Sequence, residues 1–202
     1  MKRFTRNVLT WAPERHLAAA VDAHPVASDG DKPLTPYNAT LALDDRSFAA
    51  RSALYKLVMY GRPGLSRPGR EYLAAVASML TGCRYCVSVH AQRLAELTKR
   101  PADVDELLRG GPTFGEMRDD GLDSLAASVT LNNRRDIEQA VAHMIAGGMT
   151  EAEVFDAANV AAMFAWANRL MMTLGTATGG DDAPSAAGSD GARIEGSESD
   201  ER

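Results

Sequence analysis

Ser66-Arg67-Pro68-Gly69-Arg70-Glu71-Tyr72-Leu73-Ala74-Ala75-Val76-Ala77-Ser78-Met79-Leu80-Thr81-Gly82-Cys83-Arg84-Tyr85-Cys86-Val87-Ser88-Val89-His90 decides how this chain is read. Ser66 opens a segment through Leu80 with Leu73, Val76, Ala77 and Leu80 on one face, which is the helical and not the strand period. Thr81-Gly82 interrupts it, and a second helix is expected from Cys83 to about Leu97. At ~100° per residue, Cys86 lies ~300° and His90 ~340° around from Cys83, so the three share an arc of ~60° on one helix. Cys83 and Cys86 are then within reach of a disulfide, and the imidazole of His90 can approach the Cys86 thiol. With Thr81 as N-cap, Cys83 falls in the first turn and Cys86 just beyond it, where unpaired amides favour a thiolate. A thiolate that attacks a peroxide bond needs a proton for the departing oxygen and a second thiol to resolve the sulfenic acid. His90 and Cys83 can fill those roles, and a fold back at Thr81-Gly82 can bring the Glu71 carboxylate toward His90.

The same periodicity runs outward in both directions. Asp44 or Asp45 caps a helix to about Tyr60, ended by Gly61-Arg62-Pro63-Gly64. Pro101 starts a helix to Leu108, and Gly110-Gly111-Pro112 leads into a polar connection. Helices follow over about Leu122 to Leu131 and Arg135 to Ala146. Thr150-Glu151-Ala152-Glu153 is a capping box at the head of a long helix to Leu174. That helix is apolar nearly all round, which asks for a central position or a subunit interface. The fold class is all-α, with the CxxC at the N-terminus of a core helix. Residues 1–45 carry Pro13, Pro25, Pro33 and Pro36 and read as an arm with one short helix near Glu14 to Ala23, then irregular chain wrapping the domain. Residues 46–174 form the helical domain, and 175–202 read as an acidic disordered tail.

The chain has 202 residues, 22 Lys plus Arg against 27 Asp plus Glu, and a net charge of -5. Seven acids and two bases lie in the tail, so the tail holds all the net charge and residues 1–174 are formally neutral. No basic field exists to hold nucleic acid or an anionic membrane. Val8-Leu9-Thr10-Trp11 stops at Pro13, short of a signal-peptide core, and no run reaches the length of a membrane span. A cytoplasmic protein is expected. Two cysteines are too few and too close for a disulfide framework.

Glu71, eleven residues, Cys83-Arg84-Tyr85-Cys86, three residues and His90 resemble the signature of the AhpD-like alkylhydroperoxidases in the carboxymuconolactone decarboxylase superfamily. Leu57-Val58-Met59-Tyr60-Gly61, Ser66 to Glu71, Ala146 to Glu153 and Ala167-Asn168-Arg169-Leu170 look like its uncharacterised peroxidase-related branch. The resemblance spans about Leu54 to Leu174. It implies an all-helical fold, homo-oligomers (trimer or hexamer), and reduction of hydrogen peroxide or organic hydroperoxides with no metal or organic cofactor. Cys86 would be the peroxidatic thiol, Cys83 the resolving thiol, and His90 with Glu71 the proton relay. A dithiol donor, a lipoylated protein or a thioredoxin-like one, would return the electrons. Tyr85 stands where classical members have a histidine, and the decarboxylases of the superfamily lack the cysteine pair.

Two other readings stay open on the residues alone. Cys83, Cys86 and His90 with Glu71 could bind zinc, and the fold could serve as a redox sensor or scaffold without turnover. Tyr60, Tyr72 and Tyr85 are candidates to line the approach to the thiols. His143 reads as a packing histidine, His16 and His24 as surface groups of the arm. Arg169, on an apolar helix, calls for a carboxylate or carbonyl partner, with a structural or intersubunit ion pair expected.

Overall fold

Gly82 sets the geometry of the central hairpin. It has φ 76°, a left-handed conformation that only a residue without Cβ adopts at no cost, and it ends helix α3 (Arg67–Thr81). The Gly82 amide donates to Met79 and the Cys83 amide to Ser78, the paired bonds of a Schellman turn. Cys83 is at the same time the N-cap of helix α4 (Arg84–Thr98), so one residue closes α3 and opens α4. The cap is thus Cys83 and not Thr81, whose hydroxyl is spent on the carbonyls of Ala77 and Ser78. With no spare residue in the turn, α4 folds straight back along α3.

The computed structural model describes residues 8–10, 36–42, 44–109, 121–174 and 176–178. Among these, strand β1 (Val8–Thr10) comes first, then helices α1 (Pro36–Leu41) and α2 (Asp45–Tyr60) before the central hairpin. Helices α5 (Pro101–Leu108), α6 (Leu122–Leu131), α7 (Arg134–Ala146) and α8 (Glu151–Leu174) follow, then strand β2 (Thr176–Thr178). The expected caps form: Asp44 accepts from the Ser47 amide at 2.6 Å, Ser66 from Gly69 at 3.2 Å, and Thr150 and Glu153 close their box reciprocally at 2.9 and 3.3 Å.

The fold is all-α. Its core is α3, packed against α4, α8 and α6, with α7 covering α6. Tyr72, Leu73, Ala74, Ala75 and Ala77 of α3 are fully buried, and so are Val160 and Ala161 of α8. Leu80, expected on the core face, is instead exposed, because the hairpin turn begins beside it. Helix α8 is central along one side only: Phe155, Trp166 and Met172 remain exposed.

The arm differs most from the sequence reading. Residues 36–41 form a helix where irregular chain was expected, with Pro36 at its start, where a missing amide hydrogen costs nothing. The helix expected near Glu14 to Ala23 lies outside the described residues, as do His16, His24 and the acidic tail beyond Thr178. Thr176–Thr178, placed in the tail by composition, pair antiparallel with Val8–Thr10.

A buried arginine ties the loop before α3 to α8. Arg70 donates to the carbonyls of Val58, Leu65 (2.8 Å) and Gly61 (3.2 Å), and its guanidinium lies 2.5 Å from Asp156. Asp156 also accepts from the Leu65 amide at 3.1 Å. Five donors in a fixed fork let one arginine hold three chain segments, which a lysine cannot do.

Candidate active site

The hairpin brings Glu71 and His90 together. Glu71, on the second turn of α3, is fully buried, and its Oε2 lies 2.5 Å from Nδ1 of His90 in the middle of α4. Its other oxygen faces the Arg67 guanidinium at 2.5 Å, one turn earlier on α3. Arg67 is fixed in turn by donating to the Met59 carbonyl at 3.0 Å and by stacking 4.0 Å over the Tyr60 ring. The His90 ring stands edge-on to Phe164 of α8, centroids 4.4 Å apart. Burial pushes the His90 pKa down against the opposing pull of Glu71, and Arg93 and Arg67 push it further the same way. The imidazole is therefore neutral near pH 7. With Nδ1–H donating to the carboxylate, Nε2 carries the lone pair and can accept a proton.

One turn before His90 on the same helix, Cys83 and Cys86 face each other with their Sγ atoms 3.0 Å apart, both reduced and both buried. They pack with Met171 of α8, and Tyr37, Leu41, Tyr85, Leu170 and Leu174 close around them. The hydrogen bond from Cys86 lowers the Cys83 pKa against the cost of burial, and the Cys86 and Tyr85 amides at the start of α4 lower it further. The same bond, burial and the nearby Cys83 charge raise Cys86 well above the ordinary thiol range, while Arg51 pulls it down. The pair gives up its first proton readily and its second with difficulty, and the first charge rests on Cys83. Helical position had pointed to both thiols. The cap geometry singles out Cys83.

All four predicted site residues thus fall on the α3–α4 hairpin, as two adjacent clusters. Among the described residues, no group of three or more His, Cys, Asp or Glu side chains is placed to hold a metal ion. Of the three candidate tyrosines, Tyr85 alone packs on the thiols; Tyr72 is in the core and Tyr60 lies over Arg67. His143 is exposed, with its ring against Gly121. Arg169 is exposed too, and it donates to the carbonyls of Ala165 (2.6 Å) and Thr130 (2.7 Å) where an ion pair was expected.

Residues 46–115, which hold the hairpin and all four of these residues, match the model of the carboxymuconolactone decarboxylase family. An uncharacterized peroxidase-related protein from Silicibacter sp. TM1040 has a similar structure: TM-score 0.60 at 21% identity, covering 88% of this chain and 95% of that one. So does the alkylhydroperoxidase AhpD core, an uncharacterized peroxidase-related protein from Ralstonia eutropha JMP134, with TM-score 0.61 at 22% identity over 80% and 84%. The chain adopts an AhpD-like fold. No curated protein matches the sequence. No helix among the described residues is long and apolar enough to cross a membrane.

The site holds three residues that sequence reasoning missed. Arg67 sits four residues before Glu71, and that i, i+4 spacing was a legible signal. Arg51 and Tyr37 left none: each is distant in sequence from the CxxC, and Tyr37 lies outside the family-matched segment. Arg51 of α2 donates to the Tyr37 hydroxyl and lies 5.0 Å over both the Tyr37 and Tyr55 rings, while Tyr37 stacks on Tyr85 at 5.4 Å.

Proposed function

We propose that this chain is a thiol-dependent peroxidase that reduces hydrogen peroxide or organic hydroperoxides through a Cys83–Cys86 disulfide cycle. The observation that carries the reading is a buried thiol pair 3.0 Å apart, one helical turn from an imidazole whose Nδ1 is held by a buried carboxylate at 2.5 Å. In the first step the Cys86 sulfur attacks the distal peroxide oxygen; the S–O bond forms, the O–O bond breaks, and the departing oxygen leaves as alcohol or water once protonated. Nε2 of His90 takes the thiol proton, and Glu71 stabilises the imidazolium that results. In the second step Cys83 attacks the sulfenic sulfur, the S–S bond forms, and the oxygen leaves as water. Two thiols are oxidised and one peroxide is reduced. An external dithiol, lipoylated or thioredoxin-like, reverses the disulfide by exchange. In this reading the protein works as a homo-oligomer in the cytoplasm and needs no metal.

The low pKa of Cys83 supports a second assignment with the two sulfur roles exchanged. Dimedone trapping separates them. Cys83→Ser treated with tert-butyl hydroperoxide is expected to accumulate a labelled sulfenate on Cys86, and Cys86→Ser to stay unlabelled. Label on Cys83 of Cys86→Ser, with none on Cys83→Ser, means the roles are exchanged. No label on either variant removes the peroxidase reading.

A further inference from the structure

Glu71 is fully buried and meets a different group on each oxygen: the Arg67 guanidinium lies 2.5 Å from Oε1 and the His90 ring 2.5 Å from Oε2. A carboxylate shut away from water carries a negative charge that a neighbour must balance. Arg67 and an imidazolium at His90 therefore compete to supply it, and a single positive charge is enough. Arg67 is held for the task from three sides. Its Nη1 donates to the Met59 carbonyl at 3.0 Å, its guanidinium lies 4.0 Å over the Tyr60 ring, and its Nη2 meets Glu71. It does so as the first residue of α3, where the helix dipole disfavours a cation, so the helix itself gains nothing from this charge. The other groups around the imidazole do not replace it. Phe164 of α8 brings an uncharged edge, and Arg93, on the same helix as His90, donates to the Tyr55 hydroxyl of α2 at 2.7 Å. Burial holds the His90 pKa down, and the Arg93 and Arg67 charges act in the same direction against Glu71.

We infer that Arg67 is the positioning residue of the relay: its charge answers the Glu71 carboxylate so that His90 need not, and the imidazole waits as a neutral base with its Nδ1–H on Glu71. This rests on the peroxidase reading. With Arg67 in place the three groups carry no net charge at rest, and the ring becomes positive only when Nε2 takes the Cys86 proton. The S–H bond then breaks, the Nε2–H bond forms, and the thiolate carries the opposite charge. That proton passes on to the departing oxygen, and the ring is neutral again. With a neutral side chain in place of Arg67, the same carboxylate draws a proton onto His90 at rest, and the base is spent before a peroxide arrives. A lysine there keeps the charge, although it cannot fork between Met59 and Glu71 while stacking on Tyr60.

The test reads the charge of the ring and the rate separately. Nitrogen-15 signals of the His90 ring, assigned by their loss in His90→Asn, are followed against pH on the reduced chain, alongside stopped-flow rates of thiol oxidation by tert-butyl hydroperoxide. Wild-type His90 is expected to be neutral at about pH 7 with its proton on Nδ1. Arg67→Gln is expected to raise its titration midpoint by about 1–2 pH units and to move the acid limb of the rate profile up by the same amount, with the rate recovering on the alkaline side. Arg67→Lys is expected to keep both within about half a unit of wild type. An imidazolium at about pH 7 in the wild type overturns the inference without any variant. An unmoved midpoint in Arg67→Gln overturns it as well, and so does an equal shift in Arg67→Gln and Arg67→Lys. A midpoint that moves while the rate profile stays in place means that His90 is not the base, which also overturns it. If the wild-type thiols fail to react with tert-butyl hydroperoxide at any pH, the peroxidase reading is what has failed, and the titration still reads the charge assignment on its own.

Discussion

Glu71 and His90 are held between α3, α4 and α8 by an arginine, a carboxylate and an aromatic edge, whereas the two thiols one turn away are covered in part by a six-residue helix from the arm. The contrast follows from what each half must do. An imidazole keeps a depressed pKa only while water stays out, so its surroundings must be rigid. Thiols that cycle between a 3.0 Å contact and a bond of about 2.05 Å, and that must meet a peroxide and then a reductant, need a cover that can move.

That contrast predicts unequal responses to substitution. Glu71→Ala leaves the Arg67 guanidinium without its counter-charge and the buried His90 Nδ1–H without its acceptor, and should cost about 3–5 kcal/mol in urea unfolding. Cys86→Ala, at an equally buried position, should cost only about 1–2 kcal/mol, since it removes a single sulfur. Equal losses for the two variants would break the comparison.

A pH series sharpens it. The folded His90 pKa lies below its unfolded value of about 6.5. Above pH 7 neither state binds the proton. As pH falls through about 6.5 the unfolded chain takes one up and the folded chain does not, so stability drops until the lower folded pKa is passed. His90→Asn should flatten the fall in Tm between about pH 7 and 5, and a slope equal to that of the wild type would contradict burial as the cause.

How far the site could be read in advance depended on whether its contacts were local. Cys83, Cys86 and His90 share a face because helical geometry requires it, and Glu71 joins them because Gly82 folds α3 back on α4. Arg70 and Arg67 sit in a charged stretch that resembles a solvated helix start, and only tertiary packing buries the first of them. Tyr37 comes to the thiols through the placement of the arm and Arg51 through the packing of α2, and no periodicity encodes either. Leu80 was misjudged because the end of a helix loses its neighbours when the chain turns.

The smallest effect tests the turn itself. A Cβ at Gly82 would meet nothing within 4 Å, so Gly82→Ala should cost only the left-handed backbone penalty, about 1 kcal/mol. A loss several times larger, read from the urea midpoint, would mean that the turn strains the cysteine pair as well.

The central claim is that Cys83 and Cys86 form a redox pair, and intact mass with thiol titration tests it most directly, on the reduced chain before and after one equivalent of tert-butyl hydroperoxide. The account predicts loss of both thiols with a mass decrease of about two hydrogens and no added oxygen. Two thiols still titrating at unchanged mass would contradict it.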